Sequence, residues 1–225
     1  MQRVEDKDLT YLLPQNSKLG LQRFVANVLH VNCYVLYDKD THSAIVIDPG
    51  MYAEEEKSIV KNFIISHDLL PKLVILTHPH FDHVMSLQWL YDDYGLKPSF
   101  MQGDEYIYKR VTADPMMVVH KELPFTLPPQ GKLLNEGDKI EVDNIKMRCI
   151  ETPGHTLHSA CFYDEHNAML FSGDSLFKDY IGLPKEEGIK PTLMKESLIK
   201  KIFILPPSTL VFPGHGPHTV ISEEI

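Results

Sequence analysis

The sequence has only three cysteines, Cys33, Cys149 and Cys161, and no Cys-x-x-Cys pair. An odd count without that spacing, each thiol within an apolar run, points to buried structural cysteines in a reducing, cytoplasmic setting. There is no dense Lys/Arg run, and 22 basic residues face 31 acidic ones for a net charge of −9. A surface of that sign repels phosphate backbones, so no nucleic-acid partner is expected. The N-terminal stretch Met1-Gln2-Arg3-Val4-Glu5-Asp6-Lys7-Asp8 has no apolar signal-peptide region. No stretch approaches the roughly 18 apolar residues of a spanning helix, so no membrane association is expected either. Repeats, low-complexity tracts and linkers are also missing, which predicts one domain over residues 1–225.

What is present is a recurring phrase, a short β-branched or apolar run that stops abruptly in polar residues. Ile45-Val46-Ile47 runs into Asp48-Pro49-Gly50, and Leu73-Val74-Ile75-Leu76 into Thr77-His78. Residues 146–150 lead to Thr152-Pro153-Gly154-His155, residues 169–171 to Ser172-Gly173-Asp174, and residues 209–212 to Pro213-Gly214-His215. Each run has strand length and strand composition. Ligands of open α/β sheets sit on the loops beyond strand ends, so these loops are expected to wall one site. Helices are predicted over 53–68, 84–94 and 192–205, and strand pairs without a helix between them at 32–37 with 43–47 and at 160–163 with 168–171. Hairpins mixed with strand–helix units predict an α/β fold of mixed sheets.

The stretch Thr77-His78-Pro79-His80-Phe81-Asp82-His83 is the most informative. In an extended segment His78 and His80 point the same way. Asp82 and His83 lie where a helix begins, so the turn can aim them at a neighbouring point. Three histidines and an aspartate exceed the three protein ligands of one catalytic metal ion. Two ions are therefore favoured, with His155, Asp174 and His215 completing the set. Taken singly, Asp82 reads as a helix N-cap, Asp174 as an Asx-turn, and His155 and His215 as turn residues. Their shared place at strand ends argues for a joint metal site. The donors suit zinc first, and accept iron or manganese.

Thr-His-x-His-x-Asp-His (77–83), Pro-Gly-His-Thr (153–156), Ser-Gly-Asp (172–174) and Pro-Gly-His-Gly (213–216) resemble, in order and spacing, the metallo-β-lactamase superfamily. The resemblance runs from about Phe24 to His218. It implies a four-layer αββα sandwich of two mixed sheets with helices outside and the site along one edge. It also implies His78, His80 and His155 on the first metal, Asp82, His83 and His215 on the second, and Asp174 bridging. Asp48 would orient a ligand histidine through its other ring nitrogen.

Two ions about 3.5–4 Å apart can lower the pKa of a shared water toward about 7 and polarise a carbonyl, which predicts a hydrolase. Asp82 and Asp174 are the catalytic candidates, Asp82 as a proton acceptor and Asp174 as the bridge. No nucleophilic Ser or Cys motif appears. A thioester suits the site because a thiolate, of parent pKa about 8.5, leaves without much acid help. Pro-Gly-His-Gly-Pro (213–217) is similar to small glyoxalase II-like hydrolases, which implies a small-molecule partner such as S-lactoylglutathione. Only residues 218–225 follow Pro217, and residues 180–188 carry no Arg where small relatives often do. Weak affinity for glutathione is expected, with Lys178 or Lys185 the candidate contacts. A lactonase and an iron-dependent persulfide dioxygenase are the alternatives on this fold, the latter with a different final motif. Residues 114–132 are expected to form a wall or lid near His155.

Overall fold

The computed structural model describes residues 5–185 and 187–225, without the side chain of Met117. Its first sheet has seven strands in sequence order: β1 (Glu5–Asp8), β2 (Leu19–Ala26), β3 (Val31–Asp38), β4 (Ser43–Ile47), β5 (Leu70–Ile75), β6 (Pro98–Met101) and β7 (Leu133–Leu134). The first four pair antiparallel and the rest join parallel, so the sheet is mixed. The second sheet uses β8 (Lys139–Val142), β9 (Ile145–Glu151), β10 (Ala160–Asp164) and β11 (Met169–Gly173). A small hairpin follows, β12 (Leu176–Phe177) with β13 (Tyr180–Ile181), and then β14 (Leu210–Pro213) and β15 (Thr219–Val220) return to the second sheet. Its order is β15-β14-β11-β10-β9-β8, with the β11–β14 pair parallel.

Period-two alternation explains how the sheets stack. On β3, Tyr34 and Leu36 face the second sheet and pack with Ile45, Ile47, Met147, Phe162, Phe171 and Phe212. The alternate residues Cys33 and Val35 pack outward with Val60 and Ile64 of helix α1 (Glu54–Ser66). Strands buried on both faces need apolar residues at every position, which is why these runs read as continuous. On the far side, Ile150, Cys161, Tyr163, Leu170 and Val211 meet Met194, Leu198 and Ile202. The layers are therefore helix, sheet, sheet, helix, as the resemblance implies. All three cysteines are buried and free. Among the described residues, no helix is long and apolar enough to cross a membrane.

Two helical segments differ from expectation. The stretch predicted as one helix over 84–94 is α2 (Phe81–Val84) and α3 (Leu87–Tyr94). Pro49 O accepts from both Ser86 Oγ, at 2.7 Å, and Ser86 N, at 3.1 Å, and that anchor sits at the break. Two further helices, α4 (Glu105–Arg110) and α5 (Asp114–Val118), precede β7. The segment predicted over 192–205 is α6 (Leu193–Ser197) followed by a π-helical turn over Leu198–Ile202.

Candidate metal centre

The seven expected ligands come together at one edge of the sandwich. His78 follows β5, His80 precedes α2, and Asp82 and His83 lie within it. His155 follows β9, while Asp174 and His215 follow β11 and β14. Three groups have ligand atoms all within 4.8 Å of one another: His78, His80 and His155; His78, His83 and Asp174; Asp82, His83 and His215. The middle group shares a histidine with each of the others and places Asp174 between them. Its Oδ2 lies 3.4 Å from His155 Nε2 and 3.7 Å from His215 Nε2, and its Oδ1 is 3.7 Å from His83 Nε2. On the other side, Asp82 Oδ2 is 3.2 Å from His215 Nε2.

The second ring nitrogens fix which atom three of the histidines present. His155 Nδ1 is 2.9 Å from Leu183 O, and His215 Nδ1 is 3.0 Å from Leu29 O. A carbonyl only accepts, so both Nδ1 atoms carry the proton and Nε2 faces the cluster. His78 reaches the same result by a relay. Thr77 Oγ1 donates to Asp48 Oδ2 at 2.7 Å, so it accepts from His78 Nδ1 at 3.1 Å. Asp48 Oδ2 also lies 3.1 Å from His83 Nδ1, so one buried carboxylate serves two histidines. Glycines let these loops converge. A Cβ on Gly214 would stand 2.3 Å from Asp174 Oδ1 and 2.8 Å from His83 Cε1, and one on Gly173 would stand 2.3 Å from Thr77 Oγ1.

The donors fit metal ions. His78 Nε2, His83 Nε2 and Asp174 Oδ1 are buried with no hydrogen-bond partner. Orphaned polar atoms are costly, and several converging on one point need a shared cation. Burial holds His78 and His155 below the usual histidine range and brings His80 to about 3. Burial works against charge on His83 too, but Asp82, Asp48 and Asp174 outweigh it and raise its pKa to about 10. His215 is raised against burial by Asp82 and Asp174. Burial thus favours the neutral, ligating form in the first group, whereas the carboxylates around the second favour a proton on His83 that an incoming ion must displace.

Residues 26–215 match the family model of the metallo-beta-lactamase superfamily. The chain belongs to that superfamily. The hydroxyacylglutathione hydrolase GloC of Haemophilus influenzae is 28% identical over 195 residues, spanning 86% of this chain and 89% of that protein. The BLEG-1 B3 metallo-beta-lactamase structure superposes with a TM-score of 0.81 at 27% identity, covering 90% of this chain and 95% of that one. TTHA1623, solved in a di-iron-bound form, gives 0.74 at 30% identity over 88% and 94% of the two chains.

In this superfamily member the centre opens on a cavity of about 910 Å³. Its apolar walls include Leu29, Phe177, Ile181 and Leu183, and Arg110, Lys185 and Lys195 also line it. Lys178 does not line it, so of the two lysines singled out in the sequence only Lys185 is in place; Glu186, in the same stretch, lies outside the described residues. The expected lid divides. Asp114 and Val118 of α5 share the cavity with His155, whereas Leu123, Phe125 and Leu127 pack on the core and Tyr108 Oη donates to Pro128 O at 2.7 Å. The carbonyls of Leu29 and Leu183 were not readable in the sequence, because a backbone acceptor leaves no residue-type signal.

Proposed function

We propose that the protein is a binuclear metal-dependent hydrolase of small acyl thioesters, with S-lactoylglutathione as the first substrate to test and zinc as the first metal. The observation that carries this reading is the set of three overlapping His/Asp groups at the floor of one cavity. Two divalent ions held there would acidify a shared water and polarise the substrate carbonyl. His78, His80 and His155 would hold one ion, Asp82, His83 and His215 the other, and Asp174 both. The carboxylate of Asp82, which lines the cavity, would accept the proton released in hydrolysis. The thioester preference rests on leaving-group chemistry and on the likeness to GloC, whose name specifies hydroxyacylglutathione. Lys185 and Lys195 on the cavity lining, in a chain of net charge −9, favour an anionic small molecule. The buried free thiols fit a reducing, cytoplasmic setting.

The test is a side-by-side assay of zinc-loaded protein on S-lactoylglutathione, a simple neutral thioester and an acyl-homoserine lactone. Thioester cleavage should be fastest, with a high KM for S-lactoylglutathione. Rapid lactone opening without thioester cleavage would replace the substrate class and leave the metals in place. The TTHA1623 structure makes iron the second metal to load.

The cavity cations make a separate prediction. Replacing both Lys185 and Lys195 with Ala should raise KM for S-lactoylglutathione about tenfold and change kcat less than about twofold, because they act on binding alike before and during reaction. KM for the neutral thioester should hardly move. An equal rise for both substrates would mean that the lysines shape the cavity and do not read charge.

A further inference from the structure

His215 reaches the second ligand group from the other sheet. Asp82 and His83 follow β5 of the first sheet, whereas His215 follows β14 of the second. Their atoms stand in ligand geometry only if the 213–216 loop keeps one register across the sandwich. The donors that hold it come from the first sheet. Asn32 Nδ2 lies 2.9 Å from Pro213 O and 2.8 Å from Gly216 O, one amide group spanning the carbonyls on both sides of His215. Asn32 N donates to Gly214 O at 2.7 Å, and Tyr34 Oη donates to Pro213 O at 2.8 Å. Arg23 Nη1 adds a longer bond of 3.3 Å to Gly216 O. Val31 and His215 form an isolated antiparallel bridge beside these contacts.

We infer that Asn32, supported by Tyr34 and Arg23, is a positioning residue for His215, locking the loop of one sheet onto the strand end of the other. The inference rests on reading the cluster as a two-metal centre. Both partners of the Asn32 side chain are carbonyl oxygens, so its NH2 must face them and its Oδ1 must point away. That Oδ1 is buried without a partner. A residue kept only for packing would not carry such a group, so the side chain is there for its donors. Tyr34 is buried, with edge-on contacts to Phe171 and Phe212 at 5.3 and 5.9 Å that hold its ring beneath Pro213 O. The hydrogen bonds of both residues go to backbone carbonyls of the loop and to no ligand side chain. They act through the peptide groups that flank His215, as partners behind a metal ligand commonly do.

The experiment is a zinc titration of chelator-stripped protein with a competing chelator, comparing wild type, Asn32→Ala, Tyr34→Phe and His215→Ala. Wild type should take up two ions. Asn32→Ala should bind the first ion as wild type does and the second about 10–100-fold more weakly, approaching His215→Ala. Tyr34→Phe keeps its ring contacts and loses one bond, so a several-fold weakening of the second ion is expected. The stripped variants should keep the wild-type far-UV spectrum and wild-type affinity for the first ion, whereas a general packing role would weaken both ions alike. Two ions held with wild-type affinity by Asn32→Ala would overturn the inference, and should that variant not fold, unchanged second-ion affinity in Tyr34→Phe would do so alone. Wild type holding at most one ion would instead remove the two-metal reading, and the clamp with it. Both outcomes are read from metal binding, independently of thioester activity.

Discussion

Asp174→Ala is expected to lower turnover by about a thousandfold or more, the equivalent of ~4 kcal/mol of barrier, and to release at least one ion. The carboxylate stands between the two outer ligand groups, with one oxygen toward His83 and the other toward His155 and His215. On the proposed two-metal reading its removal would take a negative ligand from both ions at once, whereas His215→Ala would empty one group only. The fold should hardly notice, because Asp174 Oδ1 makes no hydrogen bond and the side chain packs at the cavity floor. The stripped variant should unfold within about 1 kcal/mol of the stripped wild type. Metal analysis of the purified variant, with turnover measured in excess zinc, separates the outcomes. Full metal content and wild-type turnover would reduce Asp174 to a turn residue.

The contrast between Asp174 and Asn32 shows which parts of such a centre a sequence displays. Ligands are conspicuous because the chemistry needs rare residue types, and because the fold sets them immediately after strands that announce themselves by composition. His78, His80, Asp82 and His83 fall within six positions, and His155, Asp174 and His215 share one grammar, an apolar run followed by a glycine-containing turn. Composition alone reached only mixed α/β sheets, and the four-layer sandwich came from the resemblance, because Tyr34 and Leu36 alternate with Cys33 and Val35 between two surroundings that are both apolar. The supporting shell has no such signature. Leu29 and Leu183 contribute carbonyls, and any residue could supply those. Asn32 reads as a polar interruption of β3, since its use depends on which strand end faces it across the sandwich. The cavity is equally scattered, because Leu29, Arg110 and Lys195 meet only through the tertiary fold. Helix termini were displaced for local reasons, as where Pro49 O captures both donors of Ser86.

Stripping the ions with a chelator should abolish activity and lower the unfolding temperature by about 15 °C or more, with the far-UV spectrum nearly unchanged. The spectral part follows from how the ligands are held without metal. Leu183 O, Leu29 O and the Asp48–Thr77 relay fix three imidazoles from behind, and a proton on His83 offsets part of the buried carboxylate charge. The centre is thus arranged before an ion arrives, unlike small metal domains that unfold when stripped. The stability part follows from mass action. An ion present at about a thousand times its dissociation constant adds about 4 kcal/mol to a fold that alone binds it. Each kcal/mol moves the midpoint of a chain of this size by about 2–4 °C, so two ions account for the shift. Differential scanning calorimetry with and without chelator, followed by restoration with excess zinc, measures it directly. His78→Ala and His215→Ala should each lose part of the zinc-dependent increment, His78→Ala more because His78 belongs to two of the three groups. Identical midpoints with and without chelator, in protein shown by metal analysis to have been loaded and then stripped, would mean that the ligands bind ions too weakly to couple to folding, and the orphaned nitrogens of His78 and His83 would then need another occupant.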